Sequence, residues 1–244
     1  MDIRGRSAVV TGGGVRVGRA ICLALAGRGA NVVVNYHTSA AAAEDVCREI
    51  RLLGVDALAV QANVGRAEDV ASLGNAARKA FGSPSILVNN AATFPRTPLS
   101  TLTERDWDEC LSTNLKGPFL CCLEFGREMV GTGGGAIVNI ADWAVSRPYL
   151  DYLPYLTAKG GVVTMTKAFA RELAPTVRVN AVAPGPVAPP ADLAPGDIED
   201  SRSGTLLGRW GSPADIASAL LFLIEGSDFI TGTILPVDGG RLVA

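Results

Sequence analysis

Short runs of β-branched residues alternate with alanine-rich stretches of helical period along the whole chain, and this alternation restricts the fold more than any other feature. Strands that alternate with helices build βαβ units, whose strands run parallel and whose crossovers are right-handed. The pattern predicts seven strands, at residues 8–11, 31–35, 57–61, 86–89, 136–140, 178–182 and 234–237. Helices are predicted at 16–28, 40–53, 67–81, 104–129, 153–174 and 214–224, the fourth reading as two helices broken near Asn114. Val32-Val33-Val34 and Ile86-Leu87-Val88 are apolar without alternation, as strands covered on both faces are. The expected fold is α/β: a doubly wound, Rossmann-type, seven-stranded parallel sheet with helices on both faces. A chain of 244 residues fits one such domain, residues 1–244. The rhythm breaks at 184–211, where Pro184, Pro186, Pro189, Pro190 and Pro195 precede a weakly helical stretch. A long irregular segment in a compact domain is usually a lid or binding loop, so this one is expected to meet the substrate.

Several function classes are excluded by what the chain lacks. Its formal charge of −2 and the absence of a concentrated basic run leave nothing to neutralise phosphates, so no nucleic-acid partner is expected. The apolar run from Ile216 to Ile224 ends at Glu225, far short of a membrane span. The opening residues, Met-Asp-Ile-Arg-Gly-Arg, do not read as a secretory leader, and a cytoplasmic location is expected. Cys22, Cys47, Cys110, Cys121 and Cys122 show no C-x-x-C spacing and read as reduced, buried thiols. His37 is the sole histidine; it forms no zinc site with these cysteines and no Ser-His-Asp triad, so no metal is expected.

The first strand leads into Thr11-Gly12-Gly13-Gly14-Val15-Arg16-Val17-Gly18 and then an amphipathic helix. Glycines there permit a tight turn and close backbone approach, so that a pyrophosphate can sit against the helix N-terminus. Gly12, Arg16, Val17 and Gly18 are the expected contacts. The second strand ends Tyr36-His37-Thr38-Ser39 with no acid to bond a ribose 2′-OH and repel a 2′-phosphate, which favours NADP(H). Thr38 and Ser39 also read as helix N-caps, a role compatible with phosphate binding. Asn63 and Val64, and Asn90 and Ala91, follow the third and fourth strands at the sheet edge where open α/β folds bind ligands.

Tyr155 and Lys159 stand four apart behind Pro154 and therefore share one helix face. An adjacent ammonium is expected to lower the tyrosine's pKa toward neutrality and make it a usable acid or base. In order along the chain, the glycine turn, Asn89-Asn90-Ala91, Asn114, Tyr155 with Lys159, Pro184-Gly185 and Val237-Asp238-Gly239-Gly240 resemble the short-chain dehydrogenase/reductase family over essentially the full length. The resemblance implies that Tyr155 donates a proton, Lys159 holds the nicotinamide ribose, Asn114 completes a relay through water, and Pro184 and Gly185 border the cofactor. It also implies a homotetramer assembled through the long helices.

Two departures refine the expectation. Arg16 stands where the family often has glycine, and Asp142, thirteen residues before Tyr155, stands where it usually has a catalytic serine. Both, with Tyr36-His37-Thr38-Ser39, the 90–99 segment, and Arg147-Pro148, are similar to the pteridine reductases. An ionised carboxylate beside Tyr155 would repel a developing alkoxide, whereas a carboxyl of raised pKa can donate to, or bond, a ring nitrogen. Asp142 and Tyr155 are therefore expected to contact substrate, with Phe94 stacking on its ring and Arg16 bridging cofactor phosphate and substrate oxygen. The bland alternatives are Phe94 as loop packing, Arg16 as a phosphate contact alone, and Asp142 as a solvated acid. The resulting expectation is an NADPH-dependent reductase of a dihydropterin C=N bond. The alternatives are a reductase of 3-oxoacyl thioesters or other small carbonyl compounds, and a non-catalytic NADP(H) sensor.

Overall fold

The computed structural model describes residues 1–189 and 195–244. Its strands are β1 (Ser7–Val10), β2 (Asn31–Tyr36), β3 (Ala57–Gln61), β4 (Ile86–Asn89), β5 (Gly135–Ile140), β6 (Val177–Pro184) and β7 (Ile234–Val237). All pairs are parallel, in the order β3-β2-β1-β4-β5-β6-β7. The order reverses between β1 and β4, and this crevice at the strand C-termini is where doubly wound sheets bind ligands.

The helices are α1 (Arg16–Gly27), α2 (Ala40–Leu52), α3 (Ala67–Phe81), α4 (Glu104–Leu111), α5 (Gly117–Gly131), α6 (Leu153–Glu172), α7 (Pro195–Ser203) and α8 (Pro213–Leu221). Strand periodicity divides their packing. Val32 and Val34 face a core formed with Ile21 and Leu25 of α1, Val46 and Ile50 of α2, and Ile216 and Leu220 of α8. Val33, between them, faces the opposite core with Leu73 of α3 and Phe125 and Met129 of α5. Each such fully buried side chain contributes about 1.5–3 kcal/mol of hydrophobic stabilisation. The uniform apolarity of these strands thus follows from two helical layers.

The helix break expected near Asn114 is a π-helical turn instead, over Ser112–Lys116, which carries α4 into α5 without interruption. Close packing accounts for it: a Cβ on Gly117 would lie 2.7 Å from Val64 Cγ2, and one on Gly161 of α6 2.7 Å from Leu115 Cδ1. Of the expected substrate loop, residues 190–194 lie outside the described residues, and α7 follows them. Among the described residues, no helix is long and apolar enough to cross a membrane.

Candidate active site

The glycine turn between β1 and α1 is closed by contacts that leave no room for side chains. A Cβ on Gly18 would sit 2.1 Å from the Gly12 carbonyl oxygen, and one on Gly12, at φ +61, would sit 2.9 Å from Ala91 Cα. Buried Asn35 fixes the turn from β2: its Oδ1 accepts from Gly12 N–H at 3.3 Å, and its backbone carbonyl accepts from Gly13 N–H at 2.9 Å. From β4, Asn90 Nδ2 donates to the carbonyls of Thr11 and Gly12, both at 3.0 Å. Thr11 Oγ1 accepts in return from the backbone N–H groups of Asn90 and Ala91, also at 3.0 Å.

A cavity of about 400 Å³ opens over this turn, bringing Gly12, Arg16, Val17 and Gly18 together with His37, Thr38, Ser39, Asn63, Val64, Asn90 and Ala91. Neither bordering helix carries an acid in its first turn, and neither Val15 nor Ser39 caps its helix with a side-chain hydrogen bond. N-terminal N–H groups and helix dipoles therefore face the cavity from two sides, an arrangement that attracts anions. These residues could hold the anionic groups of a cofactor, at the α1 terminus and near Thr38 and Ser39. Tyr36 is placed differently, its ring packed half-buried against the α1, α2 and α8 core. Pro184 and Gly185 close the C-terminal end of β6 on β7: Gly185 N–H donates to the Val237 carbonyl at 3.0 Å, and a Cβ there would meet Asp238 Cα at 2.5 Å.

At the end of β5, Asp142 begins a single 3-10 turn, Trp143–Val145, and caps it by accepting from Ala144 N–H at 2.8 Å through Oδ1. Its other oxygen, Oδ2, accepts from the Tyr155 hydroxyl at 2.8 Å. Burial raises the pKa of Asp142, against the lowering effects of the Ala144 and Tyr155 hydrogen bonds and of Lys159. It is not a solvated loop acid. One turn along α6, Lys159 is 3% exposed; its Nζ donates to the Ile140 carbonyl at 2.6 Å and lies 5.7 Å from the centre of the Tyr155 ring.

The expected depression of the tyrosine's pKa is reversed. Burial, then the Asp142 carboxylate, hold Tyr155 well above its ordinary value, while burial lowers Lys159 to about 8. The physical reason is burial first and then the neighbour met: Tyr155 bonds the Asp142 carboxyl directly, whereas the Lys159 ammonium is bonded to a backbone carbonyl. In this state Tyr155 is a proton holder.

Asn114 is wholly buried in the π-turn. Its Nδ2 donates to the Thr93 carbonyl at 3.0 Å, to Thr93 Oγ1 at 3.2 Å, to the Cys110 carbonyl at 3.0 Å and to Cys110 Sγ at 3.2 Å. Its Oδ1 accepts from Thr93 N–H at 3.1 Å. The side chain is thus engaged in holding the segment after β4. That segment brings Phe94 against the edge of Tyr155, ring centres 4.7 Å apart at 81°, and flat on Tyr152, 4.3 Å at 15°. Arg16, at φ +49, lines the cavity and donates to the Ala188 carbonyl at 2.5 Å, linking the glycine turn to the segment after β6.

The profile described as enoyl-(acyl carrier protein) reductase matches residues 14–241. The chain belongs to the short-chain dehydrogenase/reductase family. Among its relatives in this family, a 3-oxoacyl-[acyl-carrier-protein] reductase of Staphylococcus aureus is 39% identical, the alignment covering 96% of this chain and 97% of that protein. One of the same name from Synechocystis is 38% identical over 97% and 96%. A Sinorhizobium meliloti crystal structure described as a short-chain alcohol dehydrogenase superposes with a TM-score of 0.93 at 36% identity, covering 100% and 98%. The chain is therefore a short-chain dehydrogenase/reductase oxidoreductase. The pteridine-reductase likeness expected from Arg16, Tyr36-His37-Thr38-Ser39, the 90–99 segment, Asp142 and Arg147-Pro148 is not supported by these relatives, two of which carry the name of the thioester alternative.

Several site residues of this family member escape a reading of the sequence. Asn35 reads as an ordinary strand position and Thr93 as a loop residue, and Thr11 reads only as the start of the glycine turn, not as the acceptor that ties it to Asn90 and Ala91. Tyr149 and Tyr152 join Phe94 in an aromatic cluster above Tyr155, with Tyr149 5.2 Å from Tyr152 and 6.4 Å from Trp143. The three-residue spacing of Tyr149, Tyr152 and Tyr155 was the available signal. No group of His, Cys, Asp or Glu able to hold a metal occurs among the described residues.

Proposed function

We propose that this chain is an NADPH-dependent reductase of a C=N bond in a flat nitrogen heterocycle of the dihydropterin type. The observation that carries this reading is the buried Asp142 carboxyl of raised pKa, 2.8 Å from the Tyr155 hydroxyl. Bound NADPH would supply a hydride to the ring carbon. Tyr155 gives a proton to the ring nitrogen, and protonated Asp142 restores it, so the pair stores the proton that reduction consumes. Lys159 holds positive charge under the site, and Phe94 offers an open ring face to the substrate. The glycine turn and the α1 terminus hold the pyrophosphate. Preference for NADPH over NADH rests on His37, Thr38 and Ser39, which line the cavity where a carboxylate would repel a 2′-phosphate.

A second reading, reduction of a 3-oxoacyl thioester, is favoured by the names of the relatives at 38 and 39% identity. Asp142 bears on it through its protonation state: an ionised carboxylate would repel a developing alkoxide, whereas a protonated carboxyl would donate to one. An acidic carrier protein would also require a basic landing patch; of the candidate arginines Arg96 pairs with Asp151, Arg202 with Glu199 and Arg209 with Asp215, while Arg147 donates to the backbone carbonyls of Arg241 and Ala244, so the patch does not decide between the readings. NADPH oxidation measured side by side with dihydrobiopterin, dihydromonapterin, dihydrofolate and acetoacetyl-coenzyme A tests the reading. Turnover of the thioester far above every pterin would replace it with the second.

Assembly as a homotetramer in the cytoplasm belongs to the same proposal. Leu111, Leu115, Phe119 and Met165 line an open groove of about 610 Å³ beside α5 and α6, which supports pairing through the long helices. All five cysteines are free and buried, as suits a reducing compartment.

A further inference from the structure

Two loops wall the site above Tyr155, and residues outside the chemistry hold them together. The segment at 93–97 carries Phe94, and the turn at 149–152 carries Tyr152. Arg96 donates through Nε and Nη2 to Asp151 Oδ2 at 3.0 and 2.7 Å. Thr97 donates its backbone N–H to the Asp151 carbonyl at 2.6 Å and its hydroxyl to the same oxygen at 3.2 Å. Asp151 therefore receives the neighbouring segment through both carbonyl and carboxylate. It does so from φ +68, a left-handed conformation that costs most side chains energy and is reached most readily by Gly, Asn and Asp. Between these contacts Phe94 lies flat on Tyr152; it remains 48% exposed.

We propose that Arg96 and Asp151 form a clasp that positions the Phe94–Tyr152 ring pair as a ready-made wall for a flat substrate. The inference rests on the reductase site assigned to Tyr155. Neither residue touches the reacting atoms; both are positioning residues. An exposed ion pair adds little to global stability. Its effect lies in ordering two segments before substrate arrives, because ordering that is already present does not have to be supplied by binding. Breaking the clasp should therefore appear in KM and spare kcat.

The test uses Arg96→Gln, Asp151→Asn and the double variant, with Asp151→Gly as a backbone control. Asparagine tolerates the left-handed conformation without the charge, and glycine adopts it without a side chain. With dihydrobiopterin, each single variant should raise KM by about two- to tenfold, with kcat within about twofold and the KM for NADPH unchanged. The double variant should be no worse than either single one, as expected for partners in one interaction. Raising the salt should increase the native KM toward that of the variants and leave theirs fixed. In the enzyme alone, Thr97 N–H should exchange with solvent faster in every variant. An unchanged KM, a fall confined to kcat, or additive effects in the double variant would overturn the clasp. If the native enzyme turns over neither dihydrobiopterin nor acetoacetyl-coenzyme A, the substrate reading fails instead. The clasp then stands on faster Thr97 exchange and falls if that exchange is unchanged.

Discussion

Replacing Asp142 by asparagine separates the chemistry of this side chain from its structural work. An asparagine in the same rotamer keeps an oxygen facing Ala144 N–H, which the aspartate accepts from at 2.8 Å, so the turn over Trp143–Val145 stays capped. The amide nitrogen then faces the Tyr155 hydroxyl, where Oδ2 now accepts at 2.8 Å. A donor replaces the acceptor, and the group that could restore the tyrosine's proton is gone. Losing one acid–base participant commonly costs about 10²- to 10⁴-fold in rate, equivalent to about 2.7–5.4 kcal/mol of transition-state stabilisation. The assay is steady-state NADPH oxidation with dihydrobiopterin from acid to alkaline pH, with NADPH binding measured separately. Because burial raises the Asp142 pKa, the native rate should decline as pH rises through that raised value and deprotonates the acid. A second, separate decline is expected around pH 8 as Lys159 loses its charge. The asparagine variant should lose the first decline, keep the second, and bind NADPH normally. A variant with kcat within about threefold of the native enzyme and the same pH profile would refute the assignment, since that is below the smallest cost expected of an acid–base participant.

Asp142 also couples stability to pH. A carboxyl whose pKa is raised on folding contributes stability that is full below the ordinary aspartate value and is lost as pH rises through the raised one. Asp142→Asn should accordingly gain in melting temperature over the native protein as pH rises above the ordinary aspartate range and through the raised value; a constant difference would contradict the burial argument. Phe94→Ala should raise the KM for dihydrobiopterin about fivefold, for about 1 kcal/mol of lost stacking, and leave NADPH affinity unchanged; equal KM values would make Phe94 loop packing only. Ser39→Asp keeps a good N-cap residue on α2 but places a carboxylate in the cofactor cavity. It should weaken NADPH several-fold relative to NADH, measured by fluorescence titration, and unchanged preference would remove the 2′-phosphate from this corner. Gly18→Ala drives a Cβ to 2.1 Å from the Gly12 carbonyl oxygen, so cofactor affinity should fall at least about tenfold; native affinity would show the turn to be loose.

The fold was legible because both of its signals are local. Apolar runs such as Val32-Val33-Val34 mark buried parallel strands, and the glycines after β1 mark the turn before α1. Boundaries shifted where pairing decided them: β6 runs from Val177 to Pro184, longer than its apolar run, because β5 and β7 flank it. The π-turn at Ser112–Lys116 was visible only as an irregularity at Asn114, since its cause is packing against Val64 and α6. In the site, Tyr155 and Lys159 stood out by type and spacing and Asp142 through the family resemblance, and the structure brings the three side chains together. The direction of the Tyr155 shift was not legible, because it depends first on how deeply the hydroxyl is buried and then on which neighbour it meets. Asn35, Thr93 and the Arg96–Asp151 pair act through contacts across 23, 21 and 55 positions of sequence, and no local pattern announces such partners.

The proposal that the carboxyl at position 142 directs this family member to C=N bonds turns on the ratio of kcat/KM for dihydrobiopterin to that for acetoacetyl-coenzyme A, measured with NADPH in the native enzyme and in Asp142→Ser. A serine can hydrogen-bond an alkoxide but holds no acidic proton near neutral pH. The ratio should therefore favour the pterin in the native enzyme and shift toward the thioester by about 10²-fold or more in the variant. A native ratio that favours the thioester, or a ratio that the substitution leaves unchanged, would contradict the account.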